Sequence, residues 1–147
     1  MIKKFFAPGK NSASANIALL VLRLWVGLEM LLLHGADKFA NFKATAPNFP
    51  DPLGIGHTAS LALSVFAELF VSSLIVLGLF TRFGALVLII NMTVAFVGVH
   101  QRALSGEHSG ELAFLYLMAY VVLFLAGPGR ISADKIFFGK SAAGPAR

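Results

Sequence analysis

The chain has 147 residues, 57% of them apolar and 13% charged, with no cysteine and a formal net charge of +5. That charge fraction is about half that of a soluble domain, and the mean hydropathy is +0.79. Both exclude a water-soluble globule, because a fold this small cannot bury so much apolar surface in its own core and must meet lipid instead. The missing cysteine excludes disulfides, thiolate metal sites and a thiol nucleophile. Lys and Arg stand singly between apolar runs, without the basic stripe or aromatic platform of a nucleic-acid surface.

Four apolar segments follow in chain order, roughly Ala15–Ala36, Thr58–Phe80, Phe83–Val99 and Glu111–Ala126. Each is near the ~20 residues with which a helix rising about 1.5 Å per residue crosses about 30 Å of hydrocarbon. None alternates as a barrel strand does, and backbone groups in lipid must be satisfied within the element. The predicted fold is therefore all-α: an integral membrane four-helix bundle, antiparallel and up-down, in one domain over residues 1–147. Lys3 and Lys4 precede the first segment as in a signal peptide, but Arg23 interrupts its apolar run and no small-residue cleavage pattern follows.

The breaks are read from turn chemistry. FANFKATAPNFPDPLGIGH, residues 39–57, holds three prolines and two glycines and predicts a loop. Leu79 to Phe83 is a tight reversal, and QRALSGEHSG, residues 101–110, is a polar hairpin. GPGR, residues 127–130, ends the fourth segment, and the tail ISADKIFFGK carries Phe137 and Phe138 as a segment resting on a lipid surface does. Four spans put both termini on one side. That side holds Lys3, Lys4, Lys10, Arg82, Arg130, Lys135, Lys140 and Arg147, against Lys38, Lys43 and Arg102 on the other. The positive-inside rule then places both termini in the cytoplasm.

Charged groups inside a span cost at least about 2.5–3.5 kcal/mol and are expected to turn inward and find partners. If LEMLLLHGADKF, residues 28–39, ends the first span at His34, Arg23 lies about 16 Å below the outer surface, and Glu68 lies about 15 Å into the second span. Equal depth predicts a buried Arg23–Glu68 ion pair, whose joint removal should cost less than the two losses added. Asn91 and Tyr120 fall near the same depth, which gives a polar layer of Arg23, Glu68, Asn91 and Tyr120. Ser60, Ser64, Glu68 and Ser72 recur every four residues along one helix side. Proton or substrate relay and helix packing are both open for these groups. Glu29 is offset from Arg23 by about a third of a turn and points towards the fourth span or lipid.

At the outer mouth, His34 and Lys38 end the first span, His57 opens the second, His100 closes the third and Glu111 opens the fourth. Imidazoles beside a carboxylate can bind metal, relay protons or hydrogen-bond a quinone carbonyl. No metal fingerprint such as HExxH is present, so no metal is assigned. A haem between His34 and His100 rests on two histidines alone. His34, Lys38, His100 and Glu111 are the candidates for a quinone or proton site, with interfacial capping as the plainer alternative.

The runs RLWVGLEMLLLHGADKF (23–39), AELFVSSLIVLGLFTR (67–82), GELAFLYL (110–117) and GPGRISAD (127–134) together resemble the DoxX family of small four-span bacterial membrane proteins. The resemblance implies a bundle in the bacterial cytoplasmic (inner) membrane, associated with redox processes. A related type is a subunit of a thiosulfate:quinone oxidoreductase, and others are linked to oxidative-stress or thiol-handling complexes. Without cysteine, a redox partner protein or a bound quinone must carry the electrons. The implied role is an accessory subunit or partner of a membrane redox system, with no cofactor assigned and a quinone as the candidate. A small-molecule carrier or a non-catalytic assembly factor is the alternative, and isotope uptake into proteoliposomes without electron transfer separates the two. The sequence leaves the number of chains open, a homo-oligomer included.

Overall fold

The computed structural model describes residues 12–139. Lys3, Lys4, Lys10, Lys140 and Arg147, counted above for topology, lie outside the described residues. All regular structure among the described residues is helical. Helix α1 spans Ala13–Ala40, α2 His57–Leu77 and α3 Thr81–Val99, with 28, 21 and 19 residues, each long and apolar enough to cross a membrane. Helix α4, Glu111–Ala126, is apolar but shorter at 16 residues, and a final short helix, α5, covers Ala133–Phe138.

Local chemistry sets the ends. Ser12 caps α1, its Oγ accepting from the Ala15 N–H at 3.2 Å. Gly78 closes α2 in the left-handed conformation at φ 67°, which glycine adopts without a Cβ penalty. Gly127 and Pro128 stop α4. Helix α1 runs past the expected end at Ala36, and part of the expected loop 39–57 is helical. A turn at Phe42–Thr45 and a 3-10 turn at Ala46–Asn48 follow α1. The reason is that the prolines are bunched at 47, 50 and 52, which leaves 37–45 free of helix breakers. Pro47 itself enters the start of the 3-10 turn, where its missing N–H costs nothing.

Helix α2 packs between α1 and α3, and α4 packs on α3 and α1. The shared core holds Met30, Val71, Ile75, Leu88, Tyr120 and Leu123. Large apolar side chains such as Trp25, Leu33, Phe70, Leu115 and Leu125 cover the outside. In lipid such groups gain little by turning inward, so specificity falls to close backbone approach and polar pairs. The closest backbone approach between the long helices is at Gly35, where a Cβ would stand 2.5 Å from the Glu68 carbonyl carbon and oxygen.

One end of the molecule is closed by the α4–α5 connection. Arg23, buried on α1, donates to the carbonyls of Pro128 at 2.6 Å and Ile131 at 2.8 Å. Asp134 accepts from the backbone N–H of Phe80 at 2.7 Å and Thr81 at 2.9 Å, capping the start of α3, and its own N–H donates to the Gly78 carbonyl at 2.8 Å. Arg82 reaches the Phe124 carbonyl at 3.1 Å, and Asn16 accepts from the Arg130 N–H at 2.8 Å.

The expected Arg23–Glu68 pair is therefore not formed. Glu68 lies beside Gly35, 12 residues beyond Arg23, or about 18 Å along a helix. The depth count failed because α1 continues to Ala40, so His34 does not mark its end.

Candidate functional site

Glu68 is the centre of the polar interior, with only 3% of its surface exposed. It forms an ion pair with Lys38 of α1 through Oε2. Its Oε1 accepts from the Ser64 hydroxyl at 2.8 Å and from Asn91 Nδ2 of α3 at 3.1 Å. Three helices thus converge on one carboxylate, as a charge this deep requires. Of the expected polar layer, Glu68 and Asn91 meet. Tyr120 instead donates to the Val26 carbonyl at 3.3 Å, and Arg23 belongs to the far end. The serine stripe splits similarly: Ser64 serves Glu68, whereas Ser60 bonds Asp51 at 2.7 Å.

The helices are locally widened here. Met30–Gly35 of α1, Phe66–Val71 of α2 and Val94–Val99 of α3 are each one π-helical segment. Such insertions are rare and concentrate at functional sites. No residue pattern announced them.

Two cavities meet at the Lys38–Glu68 pair. The larger, about 440 Å³, lies between α2 and α3 and is mostly apolar, with Lys38, Glu68, Asn91 and His100 as its polar groups beside Ser60 and Ser64. Phe49, Pro52 and Ile55 of the connection 41–56 wall it on one side. Leu63, Phe66 and Ile90 both line it and stand on the exposed apolar surface, so it has an apolar side opening between α2 and α3. The smaller cavity, about 230 Å³, is bounded by His34, Lys38, Glu68, His100, Ser109 and Tyr116, among others.

The wall formed by the connection is itself braced. Asp51 accepts from the backbone N–H of Ile55 at 3.1 Å and Gly56 at 2.8 Å besides the Ser60 hydroxyl, and that hydroxyl most of all holds the carboxylate below its usual range. The outer-mouth candidates divide accordingly. His34, Lys38 and His100 share the smaller cavity, with the His34 ring edge-on to Tyr116 at 5.7 Å. Glu111 is exposed at the start of α4 and lines neither cavity. His57 bonds the Phe49 carbonyl at 2.6 Å and stays outside both. Glu29 faces α4, within electrostatic reach of Tyr116. Among the described residues no three His, Asp or Glu side chains converge as a metal site.

The DoxX family profile matches residues 18–101, which carry Gly35, Lys38, Glu68, Asn91 and His100. The chain belongs to the DoxX family. With its long apolar helices, this DoxX-family chain is a membrane protein. An uncharacterized protein from Haemophilus influenzae is 31% identical over 116 residues, covering 76% of this chain and 84% of that protein. An uncharacterized membrane protein from Mycobacterium tuberculosis is 30% identical over 149 residues, covering 87% and 86%. No solved structure matches the chain.

Proposed function

We propose that the chain is a four-span bundle in one domain over residues 1–147, set in the bacterial cytoplasmic membrane with both termini inside. In this reading it serves a quinone-linked redox system as an accessory subunit or partner and seats the quinone head in the larger cavity. One observation supports this most. The cavity of about 440 Å³ is apolar along its length and confines its charged and amide groups to Lys38, Glu68 and Asn91, where three helices meet. A ligand with an apolar tail and a carbonyl-bearing ring has the matching distribution, because quinone oxygens accept from ammonium and amide N–H groups. The volume is in the usual range for small-molecule sites. The side opening at Leu63, Phe66 and Ile90 suits a ligand dissolved in the bilayer.

Mass spectrometry of the gently solubilised protein tests this by reading copurified quinones and partner subunits together. Wild-type protein is expected to retain a quinone. Lys38→Met combined with Glu68→Gln, which removes both charges at once, is expected to weaken its binding about tenfold or more. Retention unchanged in that variant, with the fold intact, counts against the site. The orientation has its own check: a reporter active only outside the cytoplasm, fused after Arg147, is expected to stay silent. A strong signal there reverses the topology.

A further inference from the structure

The smaller cavity has no role in seating an apolar-tailed ligand, yet it shares Lys38, Glu68, Ala95 and His100 with the larger one. Its remaining wall includes His34, Ser109 and Tyr116 together with Met30, Met92 and Ala113. Ser109 and the half-exposed Leu112 place one end of it at the surface, by the connection 100–110. Tyr116 is only 5% exposed, and its nearest polar neighbour is the Glu29 carboxylate of α1. A cavity of about 230 Å³ that gathers His34, Lys38, Glu68, His100 and Ser109 among apolar groups has the room and the polar partners that internal water needs.

We propose that this cavity is a water-filled chamber that carries protons between the surface at residues 100–110 and Glu68, and that Glu68 exchanges them with the ligand seated in the larger cavity. The inference rests on the quinone reading of that cavity. Glu68 faces both cavities, so its carboxylate can meet ligand on one side and water on the other. The groups around it are Lys38, His34 and Glu29 on α1, Ser64 on α2, Asn91 on α3, and Tyr116 and Tyr120 on α4, with His100 at the end of α3. His100 donates through Nδ1 to the His108 carbonyl at 3.0 Å, which leaves Nε2 as the ring nitrogen available to chamber water.

A bound quinone takes two electrons from the redox partner protein and two protons, and becomes a quinol. Glu68, a carboxylate beside Lys38 at rest, takes up one proton through chamber water from the surface at residues 100–110 and passes it to a quinone oxygen, which leaves the carboxylate as it began. The second proton follows the same path, and quinol oxidation reverses every move.

The absence of cysteine gives a clean test of hydration. Met92→Cys and Ala113→Cys, each the only thiol in the chain, are expected to react with a charged, membrane-impermeant thiol reagent added from the 100–110 side. Ile90→Cys, on the apolar side opening, is expected to react with a lipid-soluble reagent alone. Protein in nanodiscs is next loaded with a decyl-tailed benzoquinone and reduced at an electrode, which supplies the electrons. Ala113→Phe narrows the chamber from α4, the helix that supplies none of Glu68's hydrogen-bond or ion-pair partners. It is expected to slow reduction of the bound quinone at least about tenfold while its affinity stays unchanged. Glu68→Gln is expected to slow the same step.

A chamber closed to the impermeant reagent overturns the proton route whatever the quinone does. Quinone bound normally and reduced at the wild-type rate in Ala113→Phe overturns the route and leaves the binding reading standing. Failure of wild-type protein to bind the quinone removes both.

Discussion

Gly35→Ala is expected to cost the protein its folded state in the membrane. The added Cβ would stand 2.5 Å from the Glu68 carbonyl carbon and oxygen and 2.6 Å from the Leu69 nitrogen. These are backbone atoms of a packed helix, so no side-chain rotation relieves the contact. α1 and α2 must separate instead, and that separation pulls Lys38 from Glu68. Overpacking a rigid site costs about 1–3 kcal/mol, and the loss of the ion pair's geometry adds to it. Folded yield after mild solubilisation should fall severalfold or more. Truncating the neighbouring side chain with Leu69→Ala should not rescue it, because the obstacle is backbone. Gly54→Ala serves as a control: no atom lies within 4 Å of its added Cβ, so only the left-handed backbone costs anything. Rescue by Leu69→Ala, or equal damage at Gly54, contradicts the close approach.

The second large effect is expected at the other end. Arg23→Ala leaves the Pro128 and Ile131 carbonyls without their donors and Asp134 without the cation that faces it. Asp134→Ala uncaps Phe80 and Thr81 at the start of α3. Each loss should cost about 1–3 kcal/mol or more, because buried backbone groups are left without their charged hydrogen-bond partner. The two together should cost less than their sum. By contrast, Arg23→Ala combined with Glu68→Ala should be additive, since the sites lie about 18 Å apart and share no partner. This reverses the coupling that equal depth in the sequence suggested. A double-mutant cycle on folded yield decides between them, and strong Arg23–Glu68 coupling restores the discarded pair.

That reversal shows where sequence reading reached and where it stopped. Apolar runs of span length located the helices, because the need for about 20 lipid-facing residues is written into hydropathy. It also placed Glu68 and Asn91 together, since each was counted from a helix end that the structure keeps nearby. It fails at Arg23 because helix α1 has no proline or glycine break at its real end, so the polar His34 reads as a boundary. His34, Lys38 and His100 were legible as one cluster from their shared end of the bundle. Glu111 was grouped with them on span order alone, yet its side chain turns outward. The Lys38–Glu68 pair needed the rotation of α1 about its axis. That rotation is altered by the π-helical segment Met30–Gly35, which no simple 3.6-residue count contains. The cavities depend on the way that segments widened on three helices face one another, which is a tertiary property.

The central claim is that a lipid-soluble ligand enters between α2 and α3 and places its head at Lys38, Glu68 and Asn91. Photo-crosslinking tests it most directly, with a quinone carrying a photoreactive group on its ring, followed by peptide mapping of membranes containing the full chain. The account predicts labelling confined to Lys38 and to residues 49–55, 63–68 and 90–100, competed by excess unlabelled quinone and lost when Ile90→Trp blocks the side opening. Labelling spread over outward residues such as Trp25 and Leu125, indifferent to competitor and to Ile90→Trp, would contradict it.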